Sequence, residues 1–297
     1  MTAEADQLQQ RLLEAQNPDG GWAYQQGTSW TEPSALALLA LAAHRSAGAA
    51  YKGGRSWLLK TQKPDGGWAP APQIETSTCM TSVAVLALSY PEFEPPALAG
   101  GVRWILAQEN GETPALERIA LRLLGASPPK APGGSPWFPG TAAWVAPTAM
   151  SVLALTRAAR AAPPNSPQSE QLESAVRRAQ KYLLSRTCRD GGWNHGGSSF
   201  RSEDAESYPE MTGIALLALQ DVPHAELARP LARAEAFLSR PQPAEALSWL
   251  QLALMRHGRS MPSASAPVVC RNNRDICLRL LALAGPANEI FAESVVS

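Results

Sequence analysis

The sequence lacks net charge, long apolar runs and closely paired cysteines. Lys and Arg together number 26, as do Asp and Glu, and no polybasic run is present, which argues against nucleic-acid binding. The longest apolar runs, such as Ala35 to Ala43, are too short to span a bilayer, and the N-terminal residues do not resemble a signal peptide. The four cysteines show no CxxC spacing. We therefore expect a cytoplasmic protein with reduced thiols.

Strand signals are also scarce, whereas helical periodicity is abundant. One kind of helix is amphipathic: in the segment 171–186, Leu172, Val176 and Leu183 share one face and basic residues lie away from it. We expect helices of this kind near 53–62, 97–108 and 169–186. The other kind is apolar nearly all round, near 32–44, 79–90, 146–158 and 209–220. A helix without a polar face must be buried on all sides.

An inner ring of apolar helices inside an outer ring of amphipathic helices satisfies both patterns. The sequence therefore predicts an all-α fold, an α/α toroid built from helical hairpins that repeat every 40–50 residues or so. We expect one toroid domain over residues 1–297, with a surface linker near 161–170, where the sequence is rich in Pro and Ser.

The tetrapeptide Asp-Gly-Gly-Trp occurs three times and ends at Trp22, Trp68 and Trp193. Each copy follows an amphipathic helix and precedes an apolar one. Glycine permits a left-handed backbone after a helix, and Asp accepts backbone N–H bonds in turns. We predict that the three tryptophans occupy equivalent positions and wedge neighbouring hairpins together.

This element resembles the QW repeat of the prenyltransferase/squalene oxidase repeat family. That family includes squalene–hopene cyclases, and protein prenyltransferase β-subunits share its α/α toroid. The matching segments are 12–22, 57–68 and 182–193, although the last lacks the Gln. The resemblance implies an apolar central cavity for an isoprenoid or similar lipophilic ligand, with no cofactor. It also implies isoprenoid cyclisation or transfer as the chemistry.

Neither catalytic motif of these relatives is complete. Squalene cyclases protonate an alkene with an Asp-x-Asp-Asp motif, which this sequence lacks. Protein prenyltransferases bind zinc through an Asp-x-Cys pair and a later His. Asp275 and Cys277 match the pair, but every histidine precedes them. Because a catalytic zinc usually has three protein ligands, we expect no zinc there.

The segments that enter the apolar helices contain the remaining site candidates. In a closed ring these helix N-termini converge on one face, the mouth. There we expect Glu32 and Glu210 to be the acid or cation-stabilising groups, since Ala146 occupies the equivalent position in a third helix. The ligand-contacting candidates are Trp30, Trp144, Tyr208 and Cys79, because aromatic faces can hold an isoprenoid chain or stabilise a carbocation.

Two functions stay open at this point. The first is an isoprenoid cyclase or transferase that uses a non-standard acid. The second is a non-catalytic binding or scaffold protein that retains the toroid without the catalytic motifs. Either way the expected partner is a lipophilic small molecule and not nucleic acid, and peripheral contact with a membrane is compatible with such a ligand.

Overall fold

A computed structural model describes residues 2–46, 48–90, 95–108, 123, 133–196, 199–200, 203–260, 268–285 and 291. Eleven α-helices lie within them: α1 (Ala3–Glu14), α2 (Thr31–Ala43), α3 (Ala49–Thr61), α4 (Met80–Leu88), α5 (Pro95–Ala107), α6 (Val145–Ala161), α7 (Pro167–Ser185), α8 (Pro209–Ala218), α9 (His224–Leu238), α10 (Ala244–Arg256) and α11 (Asn273–Leu283). Two short strands, β1 (Ser199–Phe200) and β2 (Glu203–Asp204), pair antiparallel between α7 and α8. No helix of the described residues is long and apolar enough to cross a membrane.

Six helices form a closed inner ring. Each of α2, α4, α6, α8, α10 and α11 packs against the next, and α11 packs against α2. The four inner helices predicted from their all-round apolar pattern are α2, α4, α6 and α8. Their central residues are almost all buried, whereas most of the last six residues of α6 are only partly buried. This arrangement confirms the α/α toroid.

The amphipathic helices lie outside this ring. α3 packs against α2 and α4, α5 against α4 and α6, α7 against α6, and α9 against α8 and α10. The first helix, α1, is the outer partner of the last inner helix, α11. The side chain of Arg279 on α11 forms an ion pair with Glu4 on α1, with a nitrogen–oxygen distance of 2.7 Å. The two ends of the described chain thus meet at one seam.

The three repeated tryptophans are equivalent, as predicted. Trp22, Trp68 and Trp193 are each fully buried. Each indole nitrogen donates to the carbonyl of a leucine at the end of the preceding outer helix, Leu12, Leu58 or Leu183, over 2.7–2.8 Å. A buried indole N–H needs such a partner. The bond locks each turn onto the helix before it.

The aspartate of the turn joins neighbouring hairpins. Asp65 accepts the backbone N–H of Gly67 and, through its other oxygen, the indole N–H of Trp104 on the next outer helix. Asp19 makes the same bond to Trp57. Gly66 has a positive φ of 88° and lies so close to the backbone of Gly100 that a side chain would clash. The tetrapeptide is therefore a joint between units as well as a turn.

A fourth copy of this turn is present in altered form. Gly133 has a positive φ of 104°, similar to that of Gly66, and the backbone N–H of Ser135 donates to Thr148 over 2.8 Å, as that of Trp68 donates to Thr81. Ser135 thus replaces the wedge tryptophan. The sequence analysis did not predict this equivalence, because the tryptophan is its most recognisable residue.

The predicted surface linker near 161–170 is shorter than expected. Only residues 162–166 separate α6 from α7. Pro167 opens α7 in the first turn, where a missing N–H costs nothing, and the Ser166 side chain accepts the Ser169 N–H as an N-cap. Proline and serine therefore begin a helix here.

Candidate functional site

The N-termini of the inner helices lie at one end of the ring, as predicted, and define its mouth. The first-turn N–H of one inner helix donates to the loop that enters the next, as in Thr31 to Pro70, Val145 to His195, and Asn273 to Tyr24, over 2.7–3.0 Å. The last of these bonds joins α11 to the loop before α2. The mouth is therefore held by backbone bonds that continue across the seam.

A charged cluster lies on the seam side of the mouth. The guanidinium of Arg274 contacts Glu32 at 2.9 Å and also contacts Glu245, while the Tyr24 hydroxyl donates to the second oxygen of Glu32. Burial opposes the charge of Arg274, but the two carboxylates outweigh it and raise the pKa of its guanidinium. Burial, followed by the charge of Glu32, raises the pKa of Tyr24. These four side chains, the charged cluster, tie α2, α10 and α11 together.

Glu32 therefore lies at the mouth, but both of its carboxylate oxygens already have partners, Arg274 and Tyr24. Proton donation by this carboxyl would require it to break its contact with Arg274. Glu210 is the second residue of α8, as Glu32 is of α2, and it is half-buried. Among the described residues no hydrogen bond or ion pair is formed by Glu210. Of the two predicted acids, Glu210 is the one whose carboxyl is free to interact with a ligand.

The opposite side of the mouth is aromatic. Trp144 and Tyr208, the N-cap residues of α6 and α8, are 39% and 43% exposed. His195 lies between them, with ring centroids 6.3 Å from Trp144 and 5.2 Å from Tyr208. Trp137 and Phe138, in the loop before α6, are also exposed. We call these five residues the aromatic arc.

Trp30 belongs to the other side of the mouth. It is the N-cap of α2, is half-buried, and lies 5.8 Å from Tyr24 between ring centroids. The mouth thus brings together the predicted residues Trp30, Glu32, Trp144, Tyr208 and Glu210. It separates them into a charged half and an aromatic half, a division that the sequence analysis did not predict.

Cys79 occupies the position at the start of α4 that Glu32 occupies in α2, because Thr81 and Ser34 each accept the backbone N–H of the preceding wedge tryptophan, Trp68 or Trp22. The Thr78 N–H donates to the carbonyl of Trp68, just as that of Trp30 donates to Trp22. This bond lies three residues before Thr81 in α4 and four residues before Ser34 in α2, so the two segments differ in the loop and not in the helix. Cys79 is only 7% exposed, and burial, followed by the charge of Glu32, raises the pKa of its thiol.

Asp275 and Cys277 are engaged in structural contacts. Asp275 accepts the Arg271 N–H over 2.9 Å at the start of α11. Cys277 is fully buried, and burial raises the pKa of its thiol, whereas zinc binds the thiolate. His44 and His257 lie at the C-terminal ends of α2 and α10, far from the mouth. The part of the chain that the structure describes contains no group of three His, Cys, Asp or Glu suited to a metal.

The sequence analysis missed three members of the charged cluster: Tyr24, Glu245 and Arg274. A weak signal for Glu245 was present, since it is the second residue of an inner helix, as are Glu32 and Glu210. Arg274 is separated from Glu32 by 242 residues, and only closure of the ring brings them together.

No protein-family model and no curated protein sequence matches the chain. Solved structures do resemble it. A variant of the type II terpene cyclase MstE from Scytonema, in complex with geranylgeranyl dihydroxybenzoate, aligns with a TM-score of 0.57 at 13% identity, over 97% of this chain and 77% of the cyclase. The ent-copalyl diphosphate synthase from Streptomyces platensis aligns with a TM-score of 0.58 at 17% identity, over 86% of this chain and 50% of the synthase.

A glycosidase has a similar fold. Endoglucanase Cel10 from Klebsiella pneumoniae, a family 8 glycosyl hydrolase, aligns with a TM-score of 0.59 at 14% identity, over 95% of this chain and 98% of the enzyme. Identities this low establish the fold alone. The chain has a terpenoid cyclase-like α/α toroid fold, and the same ring occurs in enzymes of other chemistry.

Proposed function

We propose that the mouth binds a lipophilic, isoprenoid-like ligand along the aromatic arc, with a polar end of the ligand at the charged cluster. The observation that carries this proposal is the contrast between two sets of aromatic residues. The wedge tryptophans are fully buried, whereas Trp144 and Tyr208 are about two-fifths exposed at adjacent helix N-termini. Clustered exposed apolar surface is a common mark of a binding site.

The position of the ligand follows from the burial of the inner helices. Beyond the first turn of α2, residues such as Leu36 and Leu39 are at most 2% exposed. The ligand therefore lies across the mouth, in contact with first-turn residues. The MstE complex with geranylgeranyl dihydroxybenzoate supports this class of ligand for a toroid of this kind.

For chemistry on such a ligand, we propose Glu210 as the proton donor or cation-stabilising group and Glu32 as a fixed negative charge. Glu210 has no competing partner among the described residues, and its neighbour Tyr208 offers an aromatic face to a developing cation. Glu32 cannot leave Arg274 without cost, but its charge can still stabilise a cation. Isoprenoid cyclisation or transfer is the reaction class that fits these roles.

The non-catalytic alternative is favoured by one observation, the ion pair of Glu32. A carboxylate that links α2 to α11 stabilises the closed ring whether or not a substrate binds. Under this alternative the protein binds its lipophilic ligand, or serves as a scaffold, and no product forms.

The experiment is a titration with geranylgeranyl diphosphate, squalene and, as a contrasting class, cello-oligosaccharides, followed by tryptophan fluorescence and product analysis. Trp144→Ala should weaken isoprenoid binding about tenfold or more, as for a central aromatic contact, and Trp144→Phe should restore most of it. Binding of the oligosaccharide alone would contradict the proposed ligand class.

Catalysis is tested by Glu210→Gln. This change should abolish turnover and leave binding and stability nearly unchanged. Glu226→Gln is the matched control, since Glu226 is also a first-turn glutamate without a partner among the described residues, but at the opposite end of the ring. Binding with no product in the unmodified protein would favour the non-catalytic alternative. Glu32→Gln is less selective, because it also removes a partner of Arg274.

A further inference from the structure

A histidine pair lies at the end of the ring opposite the mouth. His257 follows the last residue of α10 and is only 3% exposed. Its Nε2 lies 3.0 Å from the carbonyl oxygen of Leu216, which can only accept a hydrogen bond. Nε2 therefore carries the proton, and Nδ1 presents a lone pair.

This lone pair is buried without a donor. Among the described residues Nδ1 of His257 has no hydrogen-bond partner, although the atom is inaccessible to solvent. Buried polar atoms are nearly always satisfied, so an unpartnered one points to a water molecule or an ion at that position. An imidazole that donates one N–H to a backbone carbonyl and presents its other nitrogen has the arrangement found in metal-binding histidines.

A second imidazole lies next to it. His224, the first residue of α9, is exposed, and its ring centroid is 5.5 Å from that of His257, with the planes inclined at 51°. Zinc lies about 2.0–2.1 Å from each imidazole nitrogen in tetrahedral geometry, which places two such rings roughly 5–5.5 Å apart. The observed spacing fits one ion between the rings.

We propose that His224 and His257 form a two-imidazole site for a first-row divalent cation such as Zn²⁺ or Cu²⁺. Imidazole suits both ions. Since no larger group of ligating side chains is present in the described ranges, water completes the coordination. Two charged side chains lie near His257: Asp221, whose charge favours a cation there, and Arg259, whose charge opposes one. Asp221 also forms an ion pair with Arg160, at 3.7 Å. The site is independent of the ligand proposed for the mouth.

The proposal is tested by titrating metal-free protein with Zn²⁺ and Cu²⁺ in a calorimeter. We expect one equivalent to bind, and His224→Ala to weaken binding at least about tenfold, because it removes one of two ligands. His224 is exposed, so its replacement leaves the fold intact. His195→Ala is the matched control, an exposed histidine at the mouth, and should bind as the unmodified protein does.

A spectroscopic measurement keeps the test independent of affinity. Electron paramagnetic resonance of bound Cu²⁺ should show two nitrogen ligands in the unmodified protein and one after His224→Ala. Acidification should release the ion, since a metal ligand must be deprotonated. Absence of binding to the unmodified protein, equal binding by His224→Ala, or loss of binding in His195→Ala would each overturn the site.

Discussion

Replacement of Trp68 by alanine should destabilise the ring strongly. The indole is fully buried, and its nitrogen donates to the carbonyl oxygen of Leu58 over 2.8 Å. Its ring also lies close to Gly101, where an added side-chain atom would come within 3.0 Å of it. We expect a loss of about 3–5 kcal/mol in the free energy of unfolding, as is usual when a buried large aromatic residue is truncated.

Trp68→Phe separates the two parts of this loss. Phenylalanine retains much of the apolar volume but cannot donate, so the carbonyl of Leu58 loses the indole N–H and keeps the hydroxyl of Thr61 as a donor. The loss of one such hydrogen bond costs about 0.5–1.5 kcal/mol. The difference between the two variants then measures the contribution of packing.

The assay is equilibrium unfolding in guanidinium chloride, followed by far-ultraviolet circular dichroism. Trp137→Ala is the control, because Trp137 is 38% exposed and should change stability by no more than about 0.5 kcal/mol. The wedge role would be refuted if Trp68→Ala cost less than about 1 kcal/mol. It would also be refuted if Trp68→Ala cost no more than the control.

Three further predictions concern single features of the ring. Gly66→Ala should lower the free energy of unfolding by about 1–3 kcal/mol through backbone strain, and further through its clash with the backbone of Gly100. Gly27 also has a positive φ but is surrounded by open space, so Gly27→Ala should cost less in the same titration. Burial lowers the pKa of His257 in the folded protein, so on acidification the unfolded chain binds a proton at a higher pH than the folded one does. The free energy of unfolding should therefore fall as the pH drops below about 6.5, the ordinary pKa of histidine. His257→Gln should reduce this loss, as measured by unfolding midpoints at several pH values. Arg274→Met leaves two carboxylates without their cation and should lower stability by about 1.5–3 kcal/mol. An unchanged unfolding midpoint would exclude a role for Arg274 in ring closure.

Much of the fold could be predicted because it depends on local patterns. A helix such as α2, apolar on every side, can only be buried, and an amphipathic one such as α7 can only cover it. The repeated Asp-Gly-Gly-Trp segment likewise indicates a turn wherever it occurs. The copy ending at Ser135 was missed because the backbone conformation is conserved there without the side chain that signals it.

The candidate site was predicted only in part. The sequence analysis placed five residues at the mouth correctly, because the start of an inner helix fixes their position along the ring axis. They are Trp30, Glu32, Trp144, Tyr208 and Glu210. Their roles as ligand contacts and catalytic groups stay predictions. The loop before α4 is longer than the one before α2, and periodicity within a helix does not record this difference.

The sequence by itself determined which segments become inner and outer helices and where each hairpin turns, because these depend on residues a few positions apart. Tertiary structure alone decided which side chains meet. Arg274 lies beside Glu245 on the preceding inner helix, but it reaches Glu32 only after the ring has closed and α11 lies beside α2. His224 and His257 meet because the consecutive helices α9 and α10 pack against each other, which brings the start of one beside the end of the other. An interaction between distant residues follows from the path of the whole backbone, and no local pattern of residues contains that path.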